Sequence, residues 1–200
     1  MNWLGAASLV LLLFVLLSPW WWMEGYLPNL GGYFKYEGNP ITFVWSSGNR
    51  SSLSFALKTF SWLSDEGRLP PGSKYRSGLT RFFLILSTLM LVLGGLLAIY
   101  ALARESTNPY FWAAFLVFLA LAFYELGFMV TEAPRSLSLT LATGDEQTWV
   151  KWGEGIGKYL DVALAILLIA AGIVNKIYFE YEPGPPRRPP RRRKTGRYWW

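Results

Sequence analysis

Four apolar stretches, at about 3–23, 82–103, 110–130 and 156–179, decide most of what this chain can become. Each approaches or exceeds the ~20 residues that a helix needs to cross a hydrocarbon core of about 30 Å. The expected fold class is therefore membrane α-helical, a bundle of four transmembrane helices. The spans cut the chain into a first span (1–23), a long loop (24–81), a second span (82–103) and a short turn (104–109). A third span (110–130), a second loop (131–155), a fourth span (156–179) and a tail (180–200) follow. Neither loop is long enough to bury a large core of its own. The two are expected to pack on each other or on a partner.

The chain contains no Cys and no His. Disulfides, thiol redox chemistry, Cys-ligated clusters and the usual zinc sites are excluded, and so is any His-based proton relay. No nucleophile–base pair or phosphate loop is present. Asp145-Glu146 lacks a third ligand for a metal. No cofactor is expected, and the chain reads as a non-enzyme.

No Lys or Arg precedes Leu4, and the apolar run continues through Ser18-Pro19-Trp20-Trp21-Trp22 without a small-x-small cleavage site. That pattern reads as a retained signal-anchor helix. Four spans place both termini on one side of the membrane and both long loops on the other. Arg187, Arg188, Arg191, Arg192, Arg193, Lys194 and Arg197 follow the last span closely, where positive charge weighs most in setting orientation. The termini are expected in the cytoplasm and the loops outside a cell membrane. Lys74, Arg76 and Arg81, set against Arg104, pull the other way at the second span.

The tail is too rich in proline for a helix and favours an extended form. Its basic residues suit anionic headgroups, at about 1 kcal/mol per charge near the surface. A topology-setting tag is the equally plain reading. Nucleic acid is a minor alternative, because phosphate attraction is not sequence-selective.

Aromatic residues crowd the span boundaries: Trp3, Trp20, Trp21, Trp22, Tyr100, Tyr110, Trp112, Tyr159, Tyr178 and Tyr181. An interfacial belt accounts for such crowding. Gly94 and Ala98 lie one turn apart on the second span, a spacing that lets helices approach closely in lipid. Glu125 and Asp161 place carboxylates near the outer ends of spans three and four. Lys158 shares a helix face with Asp161 and Glu154, and Arg81 enters span two at the same level. Arg81, Glu125, Lys158 and Asp161 therefore read as a polar cluster. It is either an ion or proton site or a structural ion-pair network.

The loops carry strand patterns. Residues 33–37, 41–46 and 51–58 are expected as strands, with a helical turn at 60–63. Strict alternation over 136–141, a turn at 143–145 and a return over 147–152 predict a hairpin. A lone hairpin is marginal in water, so both loops are expected to share one small antiparallel sheet. Asn49-Arg50-Ser51 is a glycosylation sequon at Asn49 on an expected turn.

The succession of four spans, a long first outer loop, a short inner turn, a shorter second outer loop and a basic tail resembles the claudin and PMP22 group. The resemblance implies a left-handed four-helix bundle beneath an outer sheet drawn from both loops. The group's first loop carries a Trp, a Gly-Leu-Trp and two cysteines. Here Trp45 and Gly31-Gly32-Tyr33 stand without cysteines, so no residue roles are carried over. The expected function is that of a structural or accessory subunit, or a cell-surface assembly protein. It would act through the outer sheet, as a homo-oligomer or within a larger membrane complex. A transport or ion-coupling component using the polar cluster is the alternative.

Overall fold

The computed structural model of the protein describes residues 2–28, 31–45, 49–69, 75–130, 137–143 and 146–180. In chain order the elements are α1 (Trp3–Leu17), β1 (Trp21–Leu27), β2 (Gly32–Gly38), α2 (Pro40–Val44) and α3 (Leu53–Asp65). Then come α4 (Ser77–Arg104), α5 (Asn108–Met129), β3 (Leu137–Thr143), β4 (Glu146–Glu154) and α6 (Gly157–Asn175). A π-helical segment, Lys176–Glu180, continues α6.

Three helices, Ser77–Arg104, Asn108–Met129 and Gly157–Tyr178, are long and apolar enough to cross a membrane. The fourth apolar stretch divides. Helix α1 has 15 residues, or about 22 Å at about 1.5 Å per residue. Residue 19 is Pro, which disfavours helical backbone at the residue before it, and Ser18 is extended at φ −74°, ψ 144°. Trp21, Trp22 and Met23 then enter β1 and not the helix, because large aromatic side chains suit a pleated surface.

The helices pack through small residues. Helices α4 and α5 run antiparallel around the break at Glu105, whose backbone is left-handed at φ 50°. A Cβ added at Gly94 would lie 3.2 Å from the Ala113 carbonyl oxygen and 3.3 Å from Val117. Ala98, one turn on, is buried too. At the far end of this pair, the Thr80 hydroxyl donates to the Gly127 carbonyl at 3.1 Å. Helix α1 runs antiparallel to α6. The Asn2 amide donates to the Ala171 carbonyl at 2.8 Å, and the Gly157 N–H donates to the Pro19 carbonyl at 2.8 Å. Large apolar side chains such as Leu13, Phe14, Leu96, Trp112, Phe115 and Ile166 face outward, while Ala101, Ala113, Ala120, Ala165 and Ala171 fill the interior. Lipid supplies no hydrophobic drive between helices, so close packing of small residues holds such a bundle together.

The segment between β2 and α4 departs from the expected strands. Residues 41–46 were expected to be extended, but α2 occupies Pro40–Val44. Asn39 and Thr42 form a reciprocal capping box, and Pro40 opens the helix where its missing N–H costs nothing. Residues 51–58 were likewise expected as a strand, and α3 replaces it. Ser52 caps the helix by accepting from the Phe55 N–H. Leu53, Ala56, Leu57, Phe60 and Leu63 form its buried stripe, a 3.6-residue period that a short window from Leu53 to Leu57 mimics as alternation.

The sheet is antiparallel, four-stranded and ordered β2-β1-β4-β3. Its outer hairpins come from different parts of the chain, and the β1–β4 ladder joins them. Trp21, Met23, Phe34, Tyr36, Val150 and Trp152 are buried on one face. Helix α3 packs against that face, with Phe55 5.3 Å from Phe34 and Phe60 4.8 Å from Trp152 between ring centroids. Trp20 and Trp21 complete this joint by meeting Tyr124 and Phe128 of α5. The expected interfacial belt is corrected here. Trp20, Trp21 and Tyr110 are buried within the protein, whereas Trp3, Tyr100, Trp112, Tyr159 and Tyr178 remain exposed.

Candidate functional site

Alternation along the strands leaves the other sheet face open, and the register sets its side chains in rows. Tyr33, Tyr26, Trp149 and Thr140 lie in one cross-strand row. Lys35, Glu24, Lys151 and Ser138 form the next, so charge alternates across the three strands nearest β2. Glu37, Trp22 and Gly153 form the third, where Gly153 lets the Trp22 indole lie across the strand. The Tyr33 and Trp149 rings stand 6.4 Å apart, and the Lys151 ammonium lies 5.3 Å from the Trp149 ring centroid. Lys35 pairs with Glu37 at 2.6 Å. Hydrogen bonding to that carboxylate, and its charge, push the Lys35 ammonium above its ordinary pKa.

Sequence reasoning missed these rows. The segment 21–27 alternates faithfully, with Trp22, Glu24 and Tyr26 on one side. The expected end of the first span at residue 23 splits it, and the partners of Tyr26 only become visible with the register.

Beneath the sheet, the structure brings together two of the four residues expected to cluster. The Lys158 ammonium lies 3.6 Å from a Glu125 carboxylate oxygen and also pairs with Glu154. It sits 5.1 Å from the Tyr159 ring centroid. Glu154 reaches Lys158 from the last position of β4, not from a shared helix face. Glu125, Glu154, Trp21, Tyr124 and Phe128 line a cavity of about 10 Å³, about the space of one water.

Asp161 is fully buried on α6, and both its carboxylate oxygens lack a hydrogen-bond partner. Arg81 is exposed on α4 and makes no ion pair among the described residues. Among the described residues, no group of acidic side chains could hold a metal ion. Asn49 lies in an exposed turn, where its side chain accepts from the Arg50 N–H at 2.6 Å. The basic tail, Arg187 to Arg197, lies outside the described residues.

Three helices with large apolar exteriors and small-residue interiors have the construction of a helical membrane protein. Compared with known proteins, the chain matches no family model, and no curated protein is detectably similar to it in sequence.

Proposed function

We propose that the chain is a non-enzymatic membrane subunit that binds a partner protein through the open face of its sheet. In this reading α1 is a fourth, shorter span beside α6, and the sheet stands outside the cell membrane. The termini lie in the cytoplasm, with the basic tail against anionic headgroups. Architecture of the claudin and PMP22 kind, reached without that group's cysteines, describes the same arrangement.

One observation carries the proposal: the aromatic row Tyr33–Tyr26–Trp149 beside the charge row Lys35–Glu24–Lys151. Tyr and Trp dominate the energetics of protein interfaces, and a charged border fixes register and orientation. The test is the mass of the full chain in mild detergent and the proteins that co-purify from native membrane. A complex that dissociates in Trp149→Ala and Tyr26→Ala supports the proposal. A strict monomer with no co-purifying protein overturns it.

Asp161 favours a second reading, an ion-coupling component. Unpaired carboxylates inside spans are costly and characteristically functional, and Asp161 is buried without a hydrogen-bond partner. Reconstituted ion flux that collapses in Asp161→Asn would support that reading. Wild-type flux equal to that of empty vesicles removes it.

A further inference from the structure

The groove between α3 and α4 is a cationic site that the sheet-face reading does not use. It encloses about 180 Å³ and is lined by Ser54, Leu57, Lys58, Ser77, Gly78 and Arg81. Lys58 and Arg81 converge on it from different helices. Both are exposed, and neither makes an ion pair among the described residues. Lys35, Arg68 and Lys158, by contrast, each have a carboxylate. Two cations sharing one groove repel each other unless an anion lies between them.

The same groove receives the first turn of α4. Arg76, at the cap position, makes no side-chain cap hydrogen bond, and no acidic residue occupies that turn. The leading N–H groups of a helix have no intrahelical acceptor and favour an anion. Serines at 54 and 77 add hydroxyls on both walls. The volume falls below the about 300–1,000 Å³ of ordinary small-molecule pockets, which suits a compact anion. Directly along α4, Phe82, Ile85 and Leu89 expose apolar side chains outward. An acyl chain lying on them places its own phosphate at the groove.

We propose that this groove binds the phosphate of an anionic lipid headgroup, gripped by Lys58 and Arg81 on the sheet side of the membrane. The site lies at the opposite end of the bundle from the last turn of α6. It also gives Arg81 a role other than orientation, which leaves Lys74 and Arg76 as the cations that oppose the bias of the tail. The inference rests on reading α4 as a span, and is independent of any partner on the sheet.

The experiment is a thermal melt of the delipidated full chain in detergent, titrated with phosphatidylglycerol, phosphatidylcholine or inorganic phosphate. A ligand that binds only the folded state raises the melting temperature. The groove exists only while α3 meets α4, so its occupation registers as such a rise. Phosphatidylglycerol is expected to raise the midpoint well above the effect of phosphatidylcholine. Each charge removed weakens binding about fivefold. The double variant Lys58→Gln/Arg81→Gln therefore needs about thirtyfold more lipid for the same shift. Arg81→Lys keeps the charge and most of the response. An undiminished response in the double variant overturns the groove, and inorganic phosphate matching the lipid at equal concentration overturns its lipid source. A wild-type chain that stays in solution without detergent overturns the membrane reading itself, a separate outcome.

Discussion

The Tyr124 hydroxyl on α5 donates a 2.7 Å hydrogen bond to the backbone carbonyl of Trp20, 104 positions away in sequence. The same carbonyl accepts the Gly155 N–H at 2.8 Å. Trp20 also donates its own indole N–H to the Val15 carbonyl at 3.0 Å. One residue thus ties α1, α5 and the start of the sheet together. Replacing Tyr124 with Phe keeps the rings packed and removes only one of two bonds to that carbonyl. The expected loss is about 1 kcal/mol, or about 2–4 °C in the melting temperature of a chain this size. A melt of Tyr124→Phe indistinguishable from wild type would contradict the assignment.

Gly155 is predicted to tolerate no side chain. A Cβ there would overlap the Pro19 carbonyl oxygen, and the atoms it meets are all backbone of Pro19 and Trp20, which leaves no soft neighbour to yield. Gly155→Ala should cost about 3 kcal/mol, the upper range of overpacking, and should expose the sheet to protease. Limited proteolysis at matched temperature is the check, and a wild-type digestion pattern would count against the close approach.

Lys158 balances two carboxylates. Lys158→Met leaves Glu125 and Glu154 facing each other near a cavity. Removing one member of a buried pair costs about 3–5 kcal/mol. The carboxylates here are 24% and 23% exposed, so solvent screening lowers the expected loss to about 2 kcal/mol. Adding Glu125→Gln to Lys158→Met should restore part of it. A double variant as unstable as the sum of the two single ones would show no coupling.

Alkaline pH should destabilise the sheet end of the protein. Burial pushes the phenols of Tyr36 and Tyr75 well above the ordinary tyrosine range. A raised folded-state pKa contributes stability that is complete below the unfolded value and is lost as pH climbs past it. Stability should therefore fall above about pH 10. The check is an absorbance titration at alkaline pH, in which the ordinary tyrosine wave lies near about pH 10. Tyr36 and Tyr75 should follow only at higher pH or on unfolding. A single wave near pH 10 would refute this.

The long apolar helices and the second-loop hairpin were legible in sequence, because an uninterrupted apolar run and strict alternation are local signals. Leu53, Phe55 and Leu57 misled, since three residues cannot distinguish period 2 from period 3.6 until Phe60 and Leu63 are included. Asn39-Pro40 carried a helix-start signal that a strand-like Ile41-Thr42-Phe43 run masked. That Lys158 and Glu125 share a polar cluster was expected from depth, though not that they pair with each other. The distance of Arg81 from them was not, because depth in a bundle says nothing of which way a helix face points. The rows on the open sheet face needed the register, and register arises from tertiary pairing.

Strand β1 follows α1 after three residues, and β4 leads into α6 after two. These two strands are paired to each other, and these two helices lie side by side. Ladder and helix contact therefore form a closed mechanical loop. A slide of α1 along α6 must shear the register from Trp21–Glu154 to Tyr26–Trp149, and nothing smaller will permit it. Whatever grips the open sheet face also clamps the helices behind it, so binding there is felt as stiffness through the depth of the bundle.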